Sequence, residues 1–246
     1  MNKLILGFLV FSTSAFSQIH SPLENLYFQY HMDTAGKSSQ VIVSESFDDL
    51  ERFTDLNVNT RLLDPFFVID ADKPKTISLK AAAKVHYEAL YNPIVSTYSI
   101  NKYDIHQKGI GFCFGRAMFV NIYLGMANIA RANIKKVFVV GPMDNGAWAW
   151  HVSTIVESRN KRGQEIWLAI DPIMDGVMDV GNWYKNLLKR SDDGKLRLYI
   201  AESGKFGVTP SRYDQEAIED GFYNNYFNDM LTWFEENDVS KNLNDL

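Results

Sequence analysis

The alternation of apolar and polar positions divides the chain at about residue 40. Residues 18–39 are polar and turn-rich, with no sustained period, and read as a linker or short leader. Beyond Gln40 the pattern tightens. Val41, Ile42 and Val43 predict a short strand, residues 46–53 a short helix opened by Ser46, and Phe66-Phe67-Val68-Ile69 a second buried strand. Residues 78–91 have helical spacing, with Leu79, Ala82, Ala83, His86 and Leu90 near one face and Pro93 as the stop. Residues 94–112 are irregular and end in Gly109-Ile110-Gly111-Phe112. The strongest helix signal runs over residues 113–132, apolar on nearly every side and hence buried. Strands are predicted at 136–140, 147–157 and 165–171, the last two joined by Asn160-Lys161-Arg162-Gly163. A helix at 183–189, a strand at 196–201 and an aromatic-rich helical region at 214–235 follow, with no internal repeats.

With 246 residues, 46% of them apolar, the chain can bury one sizeable core, so residues 40–246 are expected to form a single domain and to act as a monomer. The net charge of −5 is spread out, and Lys and Arg form no cluster, so neither nucleic acid nor a membrane is an expected partner. The N-terminus has the three parts of a signal peptide over residues 1–17: Lys3, an apolar stretch at 4–10, and small residues Ala15 and Ser17. The apolar stretch is shorter than the roughly 20 residues a bilayer span needs. Export to the periplasm or the medium is therefore expected. Within the leader, Glu24-Asn25-Leu26-Tyr27-Phe28-Gln29 resembles the recognition site of the protease used to remove purification tags, and it is set aside from fold reasoning.

Cys113 is the sole cysteine, so no intramolecular disulfide can form. In an oxidising compartment an unpaired thiol is either buried and inert or present for its reactivity. A helix start lowers a thiol's pKa through unpaired N–H groups and the positive end of the dipole, and Cys113 stands at such a start after a Gly-rich loop. Of five histidines, His20 and His31 lie in the leader. His86 falls on a helix face, His106 lies close before the cysteine, and His151 is embedded in the strand Ala147-Trp148-Ala149-Trp150-His151-Val152, where its ring must find a partner. If the two strands fold back around the Asn160 to Gly163 turn, residues whose numbers total about 322 or 323 face one another, and His151 and Asp171 total 322. The value 323 would put the two side chains on opposite faces, so a bulge at Gly163 or an odd loop is required. Pro172 ends the strand and holds Asp171 at its edge.

Three short stretches, Gly111-Phe112-Cys113-Phe114-Gly115-Arg116-Ala117, Ala149-Trp150-His151-Val152 and Ile170-Asp171-Pro172, resemble the bacterial protein glutaminases in order and spacing. Those are secreted enzymes that deamidate glutamine side chains in proteins. The resemblance covers residues 111–183, under a third of the chain. It implies a papain-like, transglutaminase-related α+β fold, with a central nucleophile helix packed against an antiparallel sheet. It implies Cys113 as nucleophile, His151 as general base and acid, Asp171 as orienting group, and proteins or peptides with exposed glutamine as substrates. The chain departs from that family in having no second cysteine and an N-terminal segment shorter than the family's inhibitory propeptide. Gln107 has a spacing similar to the oxyanion glutamine of papain-like proteases, and Trp148, Trp150 and Trp183 could wall a substrate groove or simply pack the core. No spacing indicates a metal site, and no cofactor is called for. A cysteine protease or transglutaminase with the same triad, and a binding domain with an inert buried thiol, remain as alternatives.

Overall fold

The computed structural model describes residues 21–31, 37–52, 76–105, 107, 111–205, 207–208, 223 and 225–239. The expected signal peptide, the strand expected at 66–69, His106 and the residues at 209–222 lie outside them. Among the described residues the chain is α+β. Its strands β1 (Ile134–Met143), β2 (Trp148–Arg159), β3 (Glu165–Ile170), β4 (Met178–Asp179) and β5 (Arg197–Glu202) form one antiparallel sheet in the order β4-β3-β2-β1-β5.

Both faces of the sheet are buried, and side chains alternate between two cores. Phe138, Val140, Val152, Val156, Leu168 and Ile170 join one core with α2 (Leu79–Tyr91), α3 (Cys113–Met126) and α5 (Tyr226–Glu236). Val137, Val139, Ile155, Trp167 and Ala169 join the other with α4 (Val180–Leu188) and α1 (Pro22–His31). The nucleophile helix expected from the sequence thus lies against an antiparallel sheet. It is buried at every residue from Cys113 to Gly125, in keeping with its all-round apolarity.

Local chemistry sets the element ends. Ser78 caps α2 by accepting from Ala81 N–H at 3.0 Å, and Asn92, extended as a residue before proline tends to be, closes it. Helix α3 stops six residues before the expected end, at Met126 rather than residue 132. Asn128 adopts the left-handed conformation (φ 63°), and Ile129 N–H reaches Leu124 O at 3.1 Å while Asn128 N–H reaches Gly125 O at 3.0 Å. This is a Schellman termination, and Asn128 was the stop signal.

The N-terminal reading needs two corrections. Part of the expected linker is helical, because Leu23, Leu26 and Tyr30 carry the i, i+3, i+7 spacing of α1 and pack on the second core. Tyr30 stacks on Tyr184 of α4 with ring centroids 4.2 Å apart. No strand forms at Val41, Ile42 and Val43. Ser39–Arg52 is a single helical segment instead. The segment's hydrogen bonds include Arg197 Nη1 to Glu45 Oε2 at 3.0 Å and Lys205 Nζ to Leu50 O at 3.0 Å.

Gly115 offers a test of the packing over the thiol. Helix propensity alone favours Gly115→Ala by about 1 kcal/mol. Here, however, a Cβ would fall 2.6 Å from Tyr226 Cζ and closer still to its Cε1 and Oη, and Tyr226 is fully buried. The clash should win, and Gly115→Ala is expected to lower stability by about 1–3 kcal/mol in denaturant unfolding. An unchanged or raised midpoint would show that α5 does not press on α3 in this way.

Candidate active site

Cys113 enters α3 through an unusual cap. Phe112 takes the N-cap position in the left-handed region (φ 49°, ψ 21°), where a helix entry is ordinarily extended. A non-glycine residue held there costs on the order of 1–3 kcal/mol and persists only when its surroundings over-determine it. They do so here: the fully buried Phe112 ring packs against Tyr103, Phe114, Tyr223 and Tyr226, at centroid distances of 4.6–6.4 Å. The turn leaves Cys113 9% exposed, and it lines a groove together with Gly111, Phe112 and Phe114.

The other two residues arrive on the β2–β3 hairpin. Its turn is of the odd kind: Asn160 pairs with Gln164, Lys161, Arg162 and Gly163 form the loop, and Gly163 supplies a φ of +75°. The strands pair with Thr154 opposite Ile170 and Arg159 opposite Glu165, a register total of 324 rather than the expected 322 or 323. Because 324 and 322 share parity, His151 and Asp171 fall on the same face as diagonal neighbours. His151 Nε2 and Asp171 Oδ2 are 2.7 Å apart, both residues buried. Strand β3 ends at Ile170, opposite Thr154, so β2 has no β3 partner at Val152. The Val152 N–H and the His151 imidazole both hydrogen-bond the Cys113 thiol instead. With Nε2 held by Asp171, Nδ1 is the ring atom left for the sulfur.

Asp171 is well anchored. Its Oδ2 also accepts from Trp183 Nε1 at 2.8 Å, and Oδ1 accepts from Ile173 N–H at 3.3 Å. His86 of α2 donates from Nε2 to both Asp171 O and Met174 O, at 3.2 and 3.1 Å, and so ties the turn after β3 to the neighbouring helix. The His151 ring lies between Trp148 and Trp183, at centroid distances of 5.4 and 6.0 Å. Trp148 is in turn covered by the Arg190 guanidinium at 4.5 Å, and Arg190 pairs with Asp144.

The three groups form one coupled charge system. Burial pushes the Cys113 thiol up, but the His151 hydrogen bond, the charges of His151 and Arg116 and the Val152 N–H outweigh it and hold it below the ordinary thiol value. Burial would lower His151, yet the Asp171 charge and hydrogen bond, with the contact to Cys113, push it up to about 9. Burial would raise Asp171, while the charge and hydrogen bond of His151, the Trp183 N–H and the Arg116 charge hold it below the usual carboxylate range. All three shifts act in the direction of a thiolate facing an imidazolium backed by a carboxylate.

A groove of about 230 Å³ opens over the sulfur, lined by Gly111, Phe112, Cys113, Phe114, Ala147, Trp148, Ala149, Trp150 and His151. Of the residues singled out from the sequence, Cys113, His151 and Asp171 come together, and Trp148 and Trp150 line the groove. Trp183 does not: it is fully buried, and its indole N–H serves the carboxylate, so the reading of it as a groove wall is corrected. Gln107 is exposed and outside the groove lining, with its N–H on Asp104 O at 2.9 Å. His86 was the residue missed; its place on an otherwise apolar helix face was the available signal. Among the described residues no group of three metal-binding side chains occurs, and no helix is long and apolar enough to cross a membrane.

No protein-family model matches the chain, and no curated protein matches it. Among solved structures, a crystal structure of protein-glutaminase is 18% identical over 62% of this chain and 84% of its own, with a TM-score of 0.42. The NMR structure of protein-glutaminase from Chryseobacterium proteolyticum is 18% identical over 65% of this chain and 89% of its own, with a TM-score of 0.44. A crystal structure of pro-protein-glutaminase is 16% identical over 72% of this chain and 68% of its own, with a TM-score of 0.42. Similarity at this level is distant, and the site's own geometry carries the functional reading.

Proposed function

We propose that the chain is a cysteine-dependent hydrolase that deamidates glutamine side chains of proteins or peptides. The observation that carries this reading is the His151–Asp171 hydrogen bond of 2.7 Å, with the Cys113 thiol on the imidazole's other side at the floor of a groove. The thiolate attacks the carboxamide carbon, and the oxyanion takes the Cys113 backbone N–H at the helix start as its first donor. The His151 imidazolium protonates departing ammonia, leaving a thioester. The now neutral ring takes a proton from water, the hydroxide attacks the thioester, and glutamate leaves as the thiolate and imidazolium are restored. The groove's volume of about 230 Å³ is smaller than the roughly 300–1,000 Å³ of drug-sized pockets, which favours an extended side chain over a folded backbone. Export belongs to the same proposal and rests on the pattern of Lys3, the apolar residues 4–10, Ala15 and Ser17.

The direct test is incubation with a glutamine-containing peptide, following ammonia, peptide mass and new termini together. The expected outcome is release of ammonia with a mass gain of about one dalton per glutamine and no cleavage, abolished in Cys113→Ala. New N-termini would make it a protease, and incorporation of an added amine a transglutaminase. Turnover that survives Cys113→Ala would remove the nucleophile assignment.

The pH profile follows from the same charge system. At low pH the sulfur is protonated and inert, so kcat/KM should rise as Cys113 ionises below the ordinary thiol value. It should fall again as His151 loses its proton at about 9, because ammonia then lacks its acid. A rate that keeps climbing through that alkaline range would show the neutral imidazole to be the working form.

A further inference from the structure

Arg116 is 3% exposed and lies three residues after Cys113 on α3. Its Nη2 donates to Gly111 O at 2.8 Å, while Nε and Nη1 are buried without a hydrogen-bond partner. A guanidinium keeps its charge at any ordinary pH, and burying one with a single neutral acceptor is costly. Its position compounds the cost, because the first turns of a helix carry the positive end of the dipole, which disfavours a cation. Arg116 forms no ion pair with a carboxylate among the described residues. A buried guanidinium with one neutral acceptor among the described residues calls for an anion nearby.

The groups facing it supply that anion. The Arg116 charge acts on Cys113 at the start of the same helix, on Asp171 after β3 and on the Tyr226 hydroxyl of α5, and His151 of β2 and Lys136 of β1 share the Cys113 sulfur with it. Lys136 is buried, and its desolvation disfavours the charged amine. Burial holds the Tyr226 phenol protonated. The Arg116 charge favours the ionised forms of both Cys113 and Asp171, and the His151 imidazolium acts on the same two groups. Without Arg116 the thiolate and the carboxylate would lose one of the cations that favour them inside the fold. The same guanidinium grips the Gly111 carbonyl, just before the left-handed Phe112, and so steadies the turn that aims the thiol.

We propose that Arg116 is a positioning residue of the thiol site: its buried guanidinium clamps the Gly111–Phe112 turn and supplies the cation against which the Cys113 thiolate is held. This rests on the reading of Cys113 as the nucleophile, and it acts through that residue without touching substrate.

The test is the pH dependence of iodoacetamide alkylation of Cys113, read by intact mass on the full chain without substrate, for the wild type, Arg116→Met, Arg116→Gln and Arg116→Lys. Hydrophobic replacement of a buried ion often keeps a fold stable, so the Met variant covers the case in which Gln does not fold. In either folded neutral variant the alkylation midpoint should move up by roughly one pH unit, about a tenfold slower reaction on the acid side. Arg116→Lys should return most of that shift, and kcat should fall more than KM changes in the neutral variants. A wild-type midpoint in a folded neutral variant, with only the melting temperature lowered, would overturn the proposal and leave Arg116 a structural residue. A wild-type thiol alkylating with an ordinary midpoint would defeat the nucleophile reading itself. A depressed wild-type midpoint without glutamine hydrolysis would defeat only the choice of substrate.

Discussion

The parity of the β2–β3 hairpin is the constraint on which the site depends. The side chains of a strand alternate, so one residue more or fewer in the turn would rotate every β3 side chain to the opposite face relative to β2. The odd loop of Lys161, Arg162 and Gly163, made possible by the positive φ of Gly163, puts His151 and Asp171 on one face. The end of β3 at Ile170 then frees the neighbouring edge of β2, so the Val152 N–H and the His151 ring can turn to the sulfur rather than to another strand. Pro172, with no N–H to offer, prevents the ladder from continuing.

Around that hairpin the packing fixes orientation. Two indoles flank the His151 ring, and one of them, Trp183, also donates to the carboxylate that orients it. His86 reaches across from α2 to hold the backbone of the Asp171 turn, linking both cores to one loop. On the thiol side an aromatic cluster from α5 and the loop before α3 keeps Phe112 left-handed. Strain at the cap and unpaired donors on a buried cation are both local costs, and both fall within a few residues of the only cysteine.

Much of this was legible in the residues. Period-two strands, the start of α3 at Cys113 and the need for an odd turn near Gly163 follow from pattern and parity. The actual register, 324 where 322 or 323 was expected, was not legible, because it depends on how many turn residues pair across the loop, here Asn160 with Gln164. Trp183 stayed open between groove wall and core, because its distance from Asp171 in sequence says nothing of which one it faces. His86 could be placed on a helix face, but not against a loop 85 residues away. Helix α1 was overlooked because Leu23, Leu26 and Tyr30 are sparse among polar residues, and their helical spacing stands out only once the second core presents a surface to meet it. The stop of α3 at Asn128 was present in the sequence and outweighed by the apolar run beyond it.

The proposed chemistry needs Cys113 to rest as a thiolate paired with the His151 imidazolium. The single cysteine allows it to be read directly, as the pH-dependent thiolate absorbance of the wild type against Cys113→Ala in the far ultraviolet. The expected result is a thiolate already present at neutral pH that disappears only on acidification. A signal that appears only above about pH 8.5, the range of a free thiol, and is unchanged in His151→Ala would contradict it.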